Sequence, residues 1–149
     1  SRLSTFINKK NFYYTKCDLR DKSMLRDWYV KDAEHIYHLA SVVGVPKYMD
    51  DPLSLIDIVI GGTRNILELA CEFNTRVLFT STSEIFGKNP KTPWKENDDR
   101  VLGPTSIDRW SYSTSKAVCE HMLFAMMRSK NLKFTIKFLP SLLLRRGRE

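Results

Sequence analysis

Long apolar runs are missing from this sequence. None approaches the roughly 20 residues that a membrane-spanning helix needs, and the N-terminus lacks the apolar core followed by small residues that marks a secretory signal. Cysteine is scarce: Cys17, Cys71 and Cys119 stand far apart and are odd in number. That excludes a disulfide framework and a short-spaced metal cluster, and favours a reducing, cytoplasmic setting. His35, His38 and His121 show no metal spacing either, so they read as structural or surface residues and no metal is expected. There is no repeat of fixed period, no low-complexity segment and no long linker. A basic stripe interleaved with aromatics is also lacking, so neither a nucleic-acid partner nor a membrane partner is expected.

What is present suits one soluble domain. The 149 residues can bury a sizeable core, with 42% hydrophobic and 28% charged residues. A net charge of +7 favours anionic ligands such as nucleotides and phosphates. Much of the excess lies near the ends, at Lys9, Lys10, Arg145, Arg146 and Arg148. Strand patterns over 11–19, 35–40, 76–83 and 133–139 alternate with helical patterns over 21–30, 53–73 and 110–129. Strands alternating with long helices predict parallel β-α-β units, with helices covering a central sheet.

In such sheets ligands collect beyond the carboxyl ends of the strands. Three stretches stand there: Cys17-Asp18-Leu19, His38-Leu39-Ala40-Ser41 and Thr80-Ser81-Thr82-Ser83-Glu84. The third is followed by a helix carrying Tyr112 and Lys116. Positions i and i+4 share a helix face, so the ammonium can sit beside the phenol and favour its phenolate. A tyrosine so tuned serves as a base near neutral pH, and a strand-end hydroxyl can hand it the substrate proton. Gly61-Gly62 falls inside a helical pattern, where close packing explains it better than phosphate binding.

The run HLAS, GGTRNILELA, VLFTSTSEIFG and RWSYSTSKAVCEHML, in this order and spacing, resembles the extended short-chain dehydrogenase/reductases that act on nucleotide sugars. The likeness covers roughly residues 11–138. It implies a doubly wound Rossmann-like α/β sheet, tightly held NAD and a catalytic Tyr-Lys pair. By that resemblance Tyr112 takes a proton from a sugar hydroxyl while hydride passes to the nicotinamide, and Lys116 binds the nicotinamide ribose. Asp18 and Leu19 match the adenine-contacting position, and Leu39, Ala40 and Ser41 the segment lying along the cofactor. Thr82-Ser83-Glu84 is similar to the pattern of UDP-glucuronate decarboxylases, where the family's dehydratases have Asp-Glu after the threonine. The implied course is oxidation at sugar C4, then loss of carbon dioxide from the β-keto acid, with Glu84 orienting the sugar and Ser83 assisting. A structural alternative for Glu84 is a carboxylate capping backbone amides. A 4-epimerase ranks second and a dehydratase third. Family members pair helices equivalent to 53–73 and 110–129 across a homodimer.

Several features depart from the family pattern. No G-x-x-G-x-x-G occurs, so the first strand and its glycine-rich turn are expected to be absent. Val59 stands where the family usually has Asn. Lys137 stands where Arg is usual, and the ending LPSLLLRRGRE fits a truncation or a shifted reading frame. Residues 1–149 are therefore expected to form a partial NAD-binding domain with no substrate domain. The alternative of another class is a catalytically inactive fragment or dimerisation module.

Overall fold

The structure is a computed structural model, which describes residues 4–7, 9–27, 32–42 and 49–139. Among the described residues, three parallel strands form one sheet in the order β1 (His35–His38), β2 (Arg76–Thr82), β3 (Phe134–Leu139). The register sets Ile36 beside Val77 and Val77 beside Phe134, with His38 beside Phe79 and Phe79 beside Ile136. Paired residues in a parallel sheet share a face, so these side chains form one apolar surface. Helices cover it: α1 (Lys22–Leu25), α2 (Pro52–Ile56), α3 (Gly62–Glu72) and α4 (Ser111–Lys130). Asp21 and Asp51 cap α1 and α2 by accepting from the amides of Met24 and Ser54. Asn131, in the left-handed conformation, ends α4.

The core joins Leu55, Val59, Leu67 and Ala70 to Val77 and Phe79 of β2 and to Tyr112, Cys119 and Leu123 of α4. A smaller cluster packs Leu25 on Ile66 and Leu69, beside Cys17, Leu19 and Ile36. Among the described residues the helices lie on this one face of the Rossmann-like sheet. On the other face Tyr37 is 67% exposed. None of these helices is long and apolar enough to cross a membrane.

Three expectations are corrected. Residues 11–19 read as a strand, but the backbone from Phe12 to Asp18 belongs to no ladder. Alternation favours extended backbone, whereas a strand also needs a neighbour within hydrogen-bonding distance. Here Thr15, Cys17 and Leu19 are set apart from His35–Ala40 by a cleft of about 350 Å³. β1 stops at His38 rather than Ala40, because the Leu39 amide turns back onto the Tyr37 carbonyl at 3.0 Å. The single helix expected over 53–73 is interrupted by a π turn, Asp57–Gly61, between α2 and α3. The helical reading of 21–30 is met over Lys22–Leu25; Trp28 to Val30, like the basic residues at 145–148, lie outside the described residues.

Candidate active site at the carboxyl end of β2

β2 ends in four residues that meet other elements in turn. Phe79 is fully buried beneath α4. The Thr80 hydroxyl donates to the His38 carbonyl at 3.2 Å, and its own carbonyl points to Lys116. Ser81 Oγ donates to Glu120 at 2.5 Å. Thr82 caps a short 3₁₀ turn, Ser83–Phe86, by accepting from the Glu84 amide at 3.3 Å. Gly87 closes that turn at φ +57°, where an added Cβ would lie 2.4 Å from the Val101 carbonyl. Only glycine fits both constraints. The turn presents Glu84, half-buried, whose carboxylate accepts from Arg109 Nη1 at 2.7 Å. The alternative of Glu84 as a cap for backbone amides gives way to this ion pair with Arg109, two residues before α4.

On α4 the residues Tyr112, Lys116, Cys119 and Leu123 recur at helical spacing and are all buried. Lys116 is 2% exposed. Its ammonium donates to the Thr80 carbonyl at 2.7 Å and lies 4.4 Å from the centre of the Phe79 ring. Burial pushes its pKa down to about 8, against the opposing pull of Cys119 and Glu120. His38, at the end of β1, is held by Thr63 Oγ1 at 2.9 Å. Burial first, and the Lys116 charge second, lower its pKa to about 4, so the ring is neutral at pH 7. The expected pair thus shares one stripe, and its lysine reaches the strand end two residues before Thr82.

The expected cofactor residues gather beside this point, because His38 and Phe79 are register partners and Leu39–Ser41 leaves the sheet next to Thr80–Thr82. Asp18, Leu19, Ala40 and Ser41 line a cleft of about 490 Å³. Leu39, 62% exposed, joins Leu19 and Ala40 around the neighbouring cleft of about 350 Å³. Asn65 Nδ2 fixes this region by donating to the Leu19 and Arg20 carbonyls at 3.0 and 3.1 Å. A Cβ on Gly62 would come within 2.8 Å of Leu19 Cβ, so close packing does account for this glycine; Gly61 meets nothing within 4 Å. The Asp18 carboxylate is bound by Arg20, whose hydrogen bonds hold its pKa down at about 2. Among the described residues, Ser41 Oγ is buried without a hydrogen-bond partner. An orphaned hydroxyl in a cleft fits a polar ligand that completes it, and this observation makes the residues present compatible with NAD.

A family model for NAD-dependent epimerases/dehydratases matches residues 1–147. The chain belongs to this family. A UDP-N-acetyl-α-D-glucosaminuronate decarboxylase of Bacillus cytotoxicus is 40% identical over 100 residues, spanning 67% of this chain and 30% of that protein. A UDP-N-acetylglucosamine 4-epimerase of Methanobrevibacter ruminantium, solved with UDP-N-acetylmuramic acid, superposes with a TM-score of 0.74 at 27% identity, over 87% of this chain and 39% of that one. The dTDP-glucose 4,6-dehydratase DesIV of Streptomyces venezuelae shares the fold at a TM-score of 0.81 and 21% identity, over 91% of this chain and 40% of that one. The chain therefore spans under half the length of these relatives.

Sequence reasoning missed three side chains here. Arg109 was legible only as part of RWSYSTSK, with nothing to mark its partner Glu84. Glu120 and Arg100 form an ion pair, with Glu120 only 3% exposed. The available signal was an acid four residues after Lys116, inside an otherwise apolar stretch of helix. At Val59, where Asn was expected, the backbone carbonyl accepts from Cys119 Sγ at 3.5 Å.

Proposed function

We propose that residues 1–149 are part of the NAD-binding domain of a nucleotide-sugar enzyme, one that decarboxylates a nucleotide-linked uronic acid such as UDP-glucuronate. The observation carrying this reading is the Lys116 ammonium bonded to the Thr80 carbonyl, on the helix stripe of Tyr112 and beside the Thr82-Ser83-Glu84 turn. NAD, when bound, supplies the acceptor for the hydride leaving sugar C4. Tyr112 takes the proton of the C4 hydroxyl, with the Lys116 charge favouring its phenolate. Thr82 bonds that hydroxyl and helps pass its proton. Glu84, held by Arg109, orients the sugar ring, with Ser83 assisting. Asp18, Leu19, Leu39, Ala40 and Ser41 hold the cofactor, and Lys116 binds its ribose. The decarboxylase relative supports loss of carbon dioxide over 4-epimerisation.

Pairing with a second copy through the 53–73 helix (α2, the π turn and α3) and α4 belongs to the same reading. Leu53, Phe124 and Met127 are exposed, and Leu53, Ile56, Ile60, Ile107 and Trp110 line an apolar cleft of about 420 Å³ between the helices. The test is a thermal melt of the chain with and without NAD, followed by carbon dioxide release from UDP-glucuronate and UDP-N-acetylglucosaminuronate. A cooperative transition raised by NAD, with release from either sugar, is expected. A melt indifferent to NAD would leave the inactive-module alternative standing.

A further inference from the structure

A buried carboxylate in the apolar middle of a helix is costly unless its hydrogen bonds are met. Glu120 meets them from two sides. Ser81 Oγ on β2 donates to Oε1 at 2.5 Å, and Arg100 Nη2, from the long loop before α4, donates to Oε2. Two successive residues of β2 are thereby tied to two successive turns of α4: Thr80 to Lys116 and Ser81 to Glu120. The next residue in the strand is Thr82. Arg100 sits one residue from Val101, whose carbonyl accepts from the Lys88 amide at 2.7 Å, so the loop is fastened just after the Glu84 turn.

We propose that Glu120 is a positioning residue for the Tyr112–Lys116 pair: through Ser81 and Arg100 it locks α4 to the strand end carrying Thr82, and it places a negative charge one helical turn beyond the Lys116 ammonium. This inference rests on the catalytic reading of that pair. The groups facing Lys116 are the Phe79 ring and Thr80 carbonyl of β2, His38 of β1, and Cys119 and Glu120 of its own helix, with Tyr112 one turn before it. Cys119 and Glu120 both pull against the desolvation of the ammonium; His38 is neutral at pH 7 and burial pushes the Cys119 thiol up, so Glu120 is the anion in this set. A purely mechanical tie between strand and helix would hold the backbone but leave the lysine titration where it is.

The test reads that titration directly, by the pH dependence of the Lys116 ¹³Cε resonance in the full chain labelled with ¹³C-lysine and assigned with Lys116→Arg. Glu120→Gln keeps an acceptor for Ser81 and removes the charge, so the midpoint moves to lower pH than in the wild type. Arg100→Gln, at a partly exposed site, removes the competing cation and moves it to higher pH. A midpoint that stays at the wild-type value in both variants overturns the inference. If Glu120→Gln does not melt cooperatively, the Arg100→Gln titration decides alone, an unmoved midpoint again overturning it. Neither readout needs turnover. Movement in the variants, where the wild-type chain neither binds NAD nor releases carbon dioxide, sinks the proposed function and leaves the Glu120 assignment. An unmoved midpoint in a chain that does both sinks the assignment alone.

Discussion

The two neighbouring strand ends at this site are built differently. At β2, the strand end is tied to α4 by buried bonds through Thr80, Ser81, Lys116 and Glu120. At β1, the outer side carries Tyr37 and Leu39 more than half exposed, facing an extended segment across an open cleft. The side chains of the proposed proton chemistry are held by this chain's own packing. Those of the proposed cofactor cleft hang on more exposed ties: Asn65 on the Leu19 and Arg20 carbonyls, and Gly62 on Leu19. Proton transfer needs groups fixed to within a fraction of an ångström, whereas a cofactor can bring part of its own order when it binds. Substitutions at the first end should thus change rate, and those at the second should change affinity or stability.

The largest expected effect tests the closed end. Tyr112→Phe removes the proposed base and lowers carbon dioxide release by about 10²–10⁴-fold, with the NAD-dependent rise in melting temperature retained. Equal loss of both would place Tyr112 in binding rather than chemistry. Next is pH. The folded pKa of His38, about 4, lies below the ordinary 6.5, so the unfolded chain binds the extra proton first. Stability is fully present above pH 6.5 and falls as pH drops towards 4, by about 3 kcal/mol. Denaturant melts across this window should show the slope, and His38→Gln should flatten it.

A smaller contrast separates two adjacent glycines. Gly62→Ala drives a methyl to within 2.8 Å of Leu19 Cβ and should cost about 1–3 kcal/mol while weakening NAD binding. Gly61→Ala meets nothing and should gain up to about 1 kcal/mol from helix propensity. Equal effects would mean that the approach of α3 to Leu19 does not shape the cleft. The smallest effect belongs to Asp18, exposed and paired with its neighbour Arg20. Asp18→Asn should leave the melting temperature of the free chain unchanged, and only titration with NAD should distinguish it from wild type.

Much of the scaffold was legible because its signals are local. The stripe through Tyr112, Lys116 and Cys119 follows helical spacing directly, and each strand core from Ile36 to Ile136 is a short apolar run, whereas Leu55 and Val59 pack in one core cluster and Ile66 and Leu69 in another. What escaped depends on neighbours distant in sequence. Residues 12–18 have the alternation of a strand but no ladder beside them. Glu84 meets Arg109 across 25 positions, Glu120 meets Arg100 across 20, and Ser81 meets Glu120 across 39. No periodicity connects such pairs. The residue types alone announce charge without naming its partner.

The π turn at Asp57–Gly61 carries a consequence for how this helix could change over evolution. Such a turn holds one residue more than regular helical winding would, and each residue turns the helix by 100°. Leu55 before it, Val59 within it and Leu67 and Ala70 after it share one core, and the extra residue sets the phase between the two halves. A single deletion between 57 and 61 would restore a regular helix and swing one half of these side chains about a quarter turn off the sheet. This segment therefore tolerates substitution far better than a change in length, and the spacing between Asp51 and Glu72 is fixed by the geometry of the core.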